Sequence, residues 1–226
     1  MQCKVATMNK AKLLSDLIAI SKIPEPAISA CTSNIAFYGA ITMVFGEAKM
    51  GKSFTIADAL KDSATLFIDI DNNGEELHKH LVSKKIIPLH GTEAQPFIDI
   101  LLKYAGDDKF IVVIDSFANY ADELGFNVND TTAITKLFKE IRKLTDNGHA
   151  VVLVHHVTTN GKTGDEHSSK IQGNAGAIFG RVDVTYRLEG RGVLIQDRSR
   201  ISNAADKFIS SGASLGKVMS HVEIPA

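Results

Sequence analysis

The stretch Gly46-Glu47-Ala48-Lys49-Met50-Gly51-Lys52-Ser53 has the form G-x-x-x-x-G-K-S, and it constrains its surroundings more than any other part of the chain. Ala40-Ile41-Thr42-Met43-Val44-Phe45 precedes it, an apolar run of strand character, and Phe54-Thr55-Ile56-Ala57-Asp58-Ala59-Leu60 follows it and reads as helix. Strand, loop and helix in that order are what such a loop needs to wrap phosphate. Its glycines let the backbone take positive φ, so that successive N–H groups point at one anion, and the helix adds its positive end. Lys52 is expected to reach the β- and γ-phosphates of a nucleoside triphosphate, and the Ser53 hydroxyl to ligate Mg2+. The expected nucleotide contacts are therefore Gly46, Glu47, Ala48, Lys49, Met50, Gly51, Lys52, Ser53 and Phe54.

Further strands follow. Thr65–Asp71, Phe110–Asp115 and Ala150–His156 are nearly all apolar, the signature of parallel strands buried on both faces, and helical stretches separate them. The clearest helix is expected from Thr131 to Asn147, with Ile134, Leu137, Phe138, Ile141 and Leu144 at helical spacing. Helices are also expected over Glu75–Val82 and Pro96–Tyr104, and a short one over Gly173–Phe179. Ile86-Ile87-Pro88-Leu89 reads as an edge or irregular strand, because proline cannot donate to a ladder. Residues 116–130 read as loop, 157–172 as a polar loop, and Val182–Leu188 with Val193–Asp197 as two joined strands. An amphipathic pattern at Leu13, Leu14, Leu17, Ile18 and Ile20 predicts a short N-terminal helix, stopped by Pro24 and Pro26. Alternating strands and helices predict an α/β fold, a mainly parallel sheet with helices on both faces.

Length and charge narrow the class. A chain of 226 residues suits one such domain with short extensions. No apolar run approaches the ~20 residues of a membrane helix. The first 15 residues lack the apolar core of a secretion signal, and Cys3 and Cys31 make neither a disulfide framework nor a zinc site, so a cytoplasmic setting is expected. With 25 basic and 26 acidic residues the net charge is −1, so any nucleic-acid contact must come from a few local cations.

Ligands on parallel sheets bind beyond the carboxyl ends of the strands. Asp115 closes an apolar strand there and is expected to hold Mg2+ beside Ser53. Asp71 is placed to orient and deprotonate the attacking water. Asp69 lies deeper on the same face and is expected to be structural. His155 and His156 alternate, so only one faces a nucleotide, where an imidazole can bond the γ-phosphate and report its loss. His78 and His80 are expected on a solvated helix face.

Met43–Ser53, Thr65–Asp71 with Glu75-Glu76-Leu77, Val112–Ser116, Val151–His156 and Ile171–Gly176 with Asp183 together resemble the RecA-like ATPases, in particular the RepA and DnaB type of hexameric replicative helicase. The double histidine before a polar loop looks most like the RepA-type branch. The resemblance implies a RecA-like core over residues 40–200, an N-terminal helix and linker over 1–39, and a tail over 201–226. It implies ATP and Mg2+ as cofactors, a homo-oligomeric, hexameric ring, and single-stranded DNA as partner, with no membrane contact. It puts Asp71 where the family has its catalytic glutamate, one methylene shorter here, and His156 at the sensor position. It makes Arg200 or Arg198 the arginine given to a neighbouring subunit's nucleotide, and Lys162 and Lys170 contacts to DNA. Two other readings stand beside this motor: an ATP-switched recombination, annealing or loader protein with slow hydrolysis, and a small-molecule kinase. The kinase reading lacks an arginine-bearing lid segment.

Overall fold

The computed structural model describes residues 35–71, 74–90, 94–157, 171–190, 192–201 and 206–210. The expected helix around Leu13–Ile20 and the lysines Lys162 and Lys170 lie outside the described residues.

The apolar runs form the strands: β1 (Ile41–Gly46), β2 (Thr65–Asp69), β3 (Ile87–His90), β4 (Ile111–Asp115), β5 (Ala150–His156), β6 (Val184–Leu188), β7 (Val193–Ser199) and β8 (Lys207–Ile209). Between them lie α1 (Lys52–Leu60), α2 (Gly74–Ser83), α3 (Ala94–Tyr104), α4 (Phe117–Glu123), α5 (Thr131–Asp146) and α6 (Ala175–Phe179). One eight-stranded sheet results, in the order β3-β2-β4-β5-β1-β6-β7-β8. From β3 to β6 every neighbouring pair is parallel, and β7 and β8 continue it antiparallel. This is the expected α/β class, with β1 and its phosphate-loop sequence near the middle of the sheet.

Period-two alternation divides the core. Ile41, Met43 and Phe45 face α3, α4 and α5, packing with Leu101, Phe117 and Phe138 among others. Val44, Val152 and Val154 face the other way, toward Ile56 and Leu60 of α1 and Leu77 and Leu81 of α2. By the same parity Asp69 follows Phe67, Asp115 follows Val113 and His156 follows Val154, so their side chains emerge on the α1 face. The opposite end of β1 is tied by Asp183, whose carboxylate accepts from Ile41 N (2.8 Å) and, bidentately, from Arg142 of α5 (2.8 and 3.0 Å). Asp183 is thus a structural clamp.

Three features depart from the expectations. Residues 116–130 are not all loop, because Phe117, Tyr120 and Ala121 bury one face of α4 against the sheet. The sheet does not stop at residue 200: β8 pairs with β7 through Leu194↔Phe208 and its neighbours. Ile35, Ala36 and Phe37 are buried in the α1-side core, so it begins before residue 40 as well. Pro88 does sit on an edge strand, the place in a sheet where proline is tolerated.

His149, 2% exposed, accepts from Phe110 N through Nδ1 at 3.2 Å, and burial, then nearby Lys109, push its pKa down to about 4. Its imidazole is neutral in the fold, while the unfolded chain protonates near pH 6.5. Stability linked to this group is therefore full above about pH 6.5 and drains as pH falls toward 4, by up to about 1.4 kcal/mol per pH unit. Asp115, whose pKa is raised, opposes this over the same range, so the comparison must isolate the histidine. His149→Asn keeps an acceptor near Phe110 N but cannot titrate. Urea midpoints of the native chain should fall away from those of the variant between pH 6.5 and 4.5; parallel curves would show that His149 titrates alike folded and unfolded.

Candidate nucleotide site

The loop after β1 is shaped by two left-handed residues, Lys49 (φ 63°) and Gly51 (φ 84°). Gly51 caps α1 without any side-chain hydrogen bond, and the first turn of α1 carries no acidic residue. The first N–H groups of α1 are thus left for an anion, with the helix dipole behind them. A cleft of about 390 Å³ opens there, lined by Ala48, Lys49, Gly51, Lys52, Ser53, Phe54, Asp71, Asp115 and His156. Side chains from β1–α1, β2, β4 and β5 meet in it because all four strands end at the same edge of the sheet.

Lys52 is 4% exposed, and its ammonium donates to Gly46 O (3.1 Å) and Glu47 O (2.7 Å) and lies 3.1 Å from His156 Nδ1. Burial depresses its pKa against the pull of Asp115, Asp71 and Glu47. An ammonium has only protons to give, so Nδ1 is the acceptor and the histidine's own proton sits on Nε2. That N–H points to Asp71 Oδ2 at 3.1 Å. Asp71 lies just past β2, where its backbone N–H and that of Ile70 both donate to Asp115 O (3.2 and 2.6 Å). Its Oδ1 accepts from Ser116 Oγ (2.8 Å) and Asn119 Nδ2 (2.6 Å). The bond from His156, then those from Ser116 and Asn119, outweigh burial and hold the Asp71 carboxyl below its ordinary range.

Asp115, 1% exposed, accepts from Ser53 Oγ at 2.5 Å. Burial, with Asp71 and Asp69 nearby, pushes its pKa up to about 7. A buried carboxyl whose charged form burial disfavours, set beside a hydroxyl, is an oxygen-donor set that a Mg2+ ion would suit by stabilising that charge. No group of three or more His, Cys, Asp or Glu among the described residues is arranged to hold a metal alone, so phosphate oxygens and water would complete the shell.

His155 turns to the opposite face, as alternation requires. It is fully buried, pairs through Nε2 with Gln172 O (2.7 Å), and is kept neutral, with burial pushing its pKa down to about 4. Gln172 N donates to His156 O, Val157 N donates to Gly46 O, and Val157 bridges Ile171. Val157, Ile171 and Gln172 are thereby fastened to β5 and the phosphate loop. Gly173 (φ 90°) permits the close approach to the chain before α5, since a Cβ there would lie 2.7 Å from Val128 O.

The structure brings Lys52, Ser53, Asp71, Asp115 and His156 together, but not the arginines. Arg198 lies level with Met43 and Arg200 near the level of Ile41, about 10 and about 17 Å down the strand direction from Gly46 and two strands across the sheet. Arg198 lies over the Phe179 ring (5.2 Å), and Arg200 donates to Gly180 O (3.0 Å) beside a second cavity of about 520 Å³. Neither reaches its own chain's cleft. His80 is not merely solvated: its Nε2 is 3.1 Å from Asp58 Oδ1 and its ring is 5.0 Å from that of Phe54. Ser116 and Asn119 escaped the sequence reading with α4. Their one signal was an Asn three residues after the Ser that follows the strand-end Asp115, which puts both on the first turn of a helix.

No protein-family model and no curated protein matches the chain. Among solved structures it is similar to the crystal structure of the RadB recombinase, with 19% identity and a TM-score of 0.49 over 73% of this chain and 83% of that one. At that level of likeness nothing about activity transfers. The fold assignment rests on the sheet order and on the phosphate loop at the end of β1.

Proposed function

We propose that the protein is a Mg2+-dependent ATPase of RecA-like architecture that acts on single-stranded DNA as a minimal helicase or translocase, in a ring of several copies. The observation that carries this is the chain Lys52–His156–Asp71, continued through the β5 backbone to Val157 and Gln172. To engage the phosphates, the Lys52 ammonium, with three protons to give, releases at least one of its three partners, and in this reading it releases His156 Nδ1. The freed imidazole edge then registers whether a γ-phosphate is present, and residues 158–170, with Lys162 and Lys170, follow this strand in the sequence.

Ser53 and Asp115 would hold Mg2+, which supplies charge neutralisation across the phosphates. Asp71 orients water through an oxygen fixed by its neighbours and takes up the proton. Neither Arg198 nor Arg200 lines its own cleft, so in this reading one or the other serves an adjacent copy's nucleotide. A cytoplasmic location accords with the described residues, none of whose helices is long and apolar enough to cross a membrane.

A second reading, an ATP-switched recombination, annealing or loader protein, is favoured by one feature. Asp71 accepts from three side-chain donors and is held below its ordinary basicity, which suits slow hydrolysis. The kinase reading has less support, because no arginine is among the described residues lining the cleft.

ATPase rates with and without single-stranded DNA, alongside solution mass with a non-hydrolysable ATP analogue, separate these. The motor predicts marked DNA stimulation and a hexamer-sized assembly. Turnover by a monomer, indifferent to DNA, contradicts it, and an oligomer that binds DNA but scarcely hydrolyses ATP favours the switch.

A further inference from the structure

We propose that Phe54 is the platform on which the nucleobase stacks, braced by His80 and Asp58, so that the cleft selects purine triphosphates. This rests on the triphosphate reading of the cleft and adds to it the part of the ligand that is read.

Position comes first. The N–H groups left free at the start of α1 cradle the α- and β-phosphates. The side chain of the third α1 residue therefore stands where the α-phosphate gives way to sugar and base. Phe54 lines the cleft and is 38% exposed, whereas Ile56, Ala57 and Leu60 of the same helix are fully buried. The hydrophobic core does not use this ring. It is the one aromatic side chain among the described residues that line the cleft.

The ring is also held. Its centroid lies 5.0 Å from the His80 imidazole with the planes tilted by 52°. His80 Nε2 is 3.1 Å from Asp58 Oδ1, which also pairs with Lys84 Nζ at 3.3 Å, while Asp58 Oδ2 accepts from Ser210 Oγ at 2.6 Å. Phe54 and Asp58 are four residues apart on α1 and share a face. α2 and the residue after β8 thus fix the imidazole that backs the phenyl ring. A ring ordered before the ligand arrives loses little freedom on binding. It gains most from the base with the larger π-face, a purine.

Calorimetric titration of the full chain with MgATP, MgCTP and magnesium tripolyphosphate tests this. Phe54→Ala should weaken ATP by roughly 5- to 150-fold, weaken CTP less, and leave tripolyphosphate within about twofold. Phe54→Tyr should restore ATP affinity, and His80→Ala should lower it by a smaller factor than Phe54→Ala, again sparing tripolyphosphate. If the alanine variant binds ATP as tightly as the native chain while both still bind tripolyphosphate, the platform is overturned and the phosphate site stands. The same holds if the native chain binds CTP as tightly as ATP. If the native chain binds neither ATP nor tripolyphosphate, both readings fall together.

Discussion

Lys52→Ala should lower MgATP turnover at least a hundredfold and leave the fold intact. The size follows from what the ammonium does. It is the one side-chain cation buried beside the loop's carbonyls, and it has no substitute nearby: Lys49 also lines the cleft, but as an exposed side chain on the loop's rim. Removing one preorganised donor from a developing phosphate charge typically costs 10²–10³ in rate, about 2.7–4 kcal/mol. The structural cost is smaller. The hydrogen bonds lost to Gly46 O and Glu47 O each contribute about 1 kcal/mol, Gly46 O keeps the Val157 N–H, and Glu47 is an exposed residue that water can reach. Burial of the charge, which depresses its pKa, returns part of that. Circular dichroism and urea midpoint should therefore stay close to native while turnover collapses. Native-like turnover in the variant would move the phosphate site elsewhere.

Asp71→Asn should slow hydrolysis by about 10²–10⁴-fold, the usual contribution of a positioned base, and keep ATP binding within a few-fold. The substitution removes the charge and turns one oxygen into a donor. That donor must face either the His156 Nε2–H or the Asn119 amide, both of which already donate to Asp71. The imidazole's link to Lys52 is then disturbed along with the base, so single-turnover rates should fall as far as steady-state rates. Unchanged hydrolysis would place the base on another acid, with Glu47 in the phosphate loop the first to test.

What could be read in the sequence follows from the kind of signal each element leaves. β1, β2, β4 and β5 are each buried on both faces, so they appear as unbroken apolar runs, and the parallel sheet follows from them. The ends of β4 and β5 carry Asp115 and the His155–His156 pair; alternation leaves only one of the two histidines facing the nucleotide, and the resemblance points to His156. α4 left a weaker trace, because seven residues hold barely two turns of periodicity. β8, of three residues at an antiparallel edge, has no periodicity to find. Asp71 was found by its place near a strand end, yet β2 stops at Asp69, and what positions Asp71 is the Asp115 carbonyl together with Ser116 and Asn119 on the next element. Such contacts join residues 44 or more positions apart and leave no local pattern. His80 was misjudged for the same reason, since its partner Asp58 lies on another helix.

The most direct test of the account is calorimetric titration of the native chain with a non-hydrolysable ATP analogue, with and without Mg2+. The account predicts one site per chain in the presence of Mg2+ and affinity at least tenfold weaker in its absence, because the buried Asp115 is then left without the cation that suits it. No saturable binding, or binding indifferent to Mg2+, would contradict the assignment of Lys52, Ser53 and Asp115.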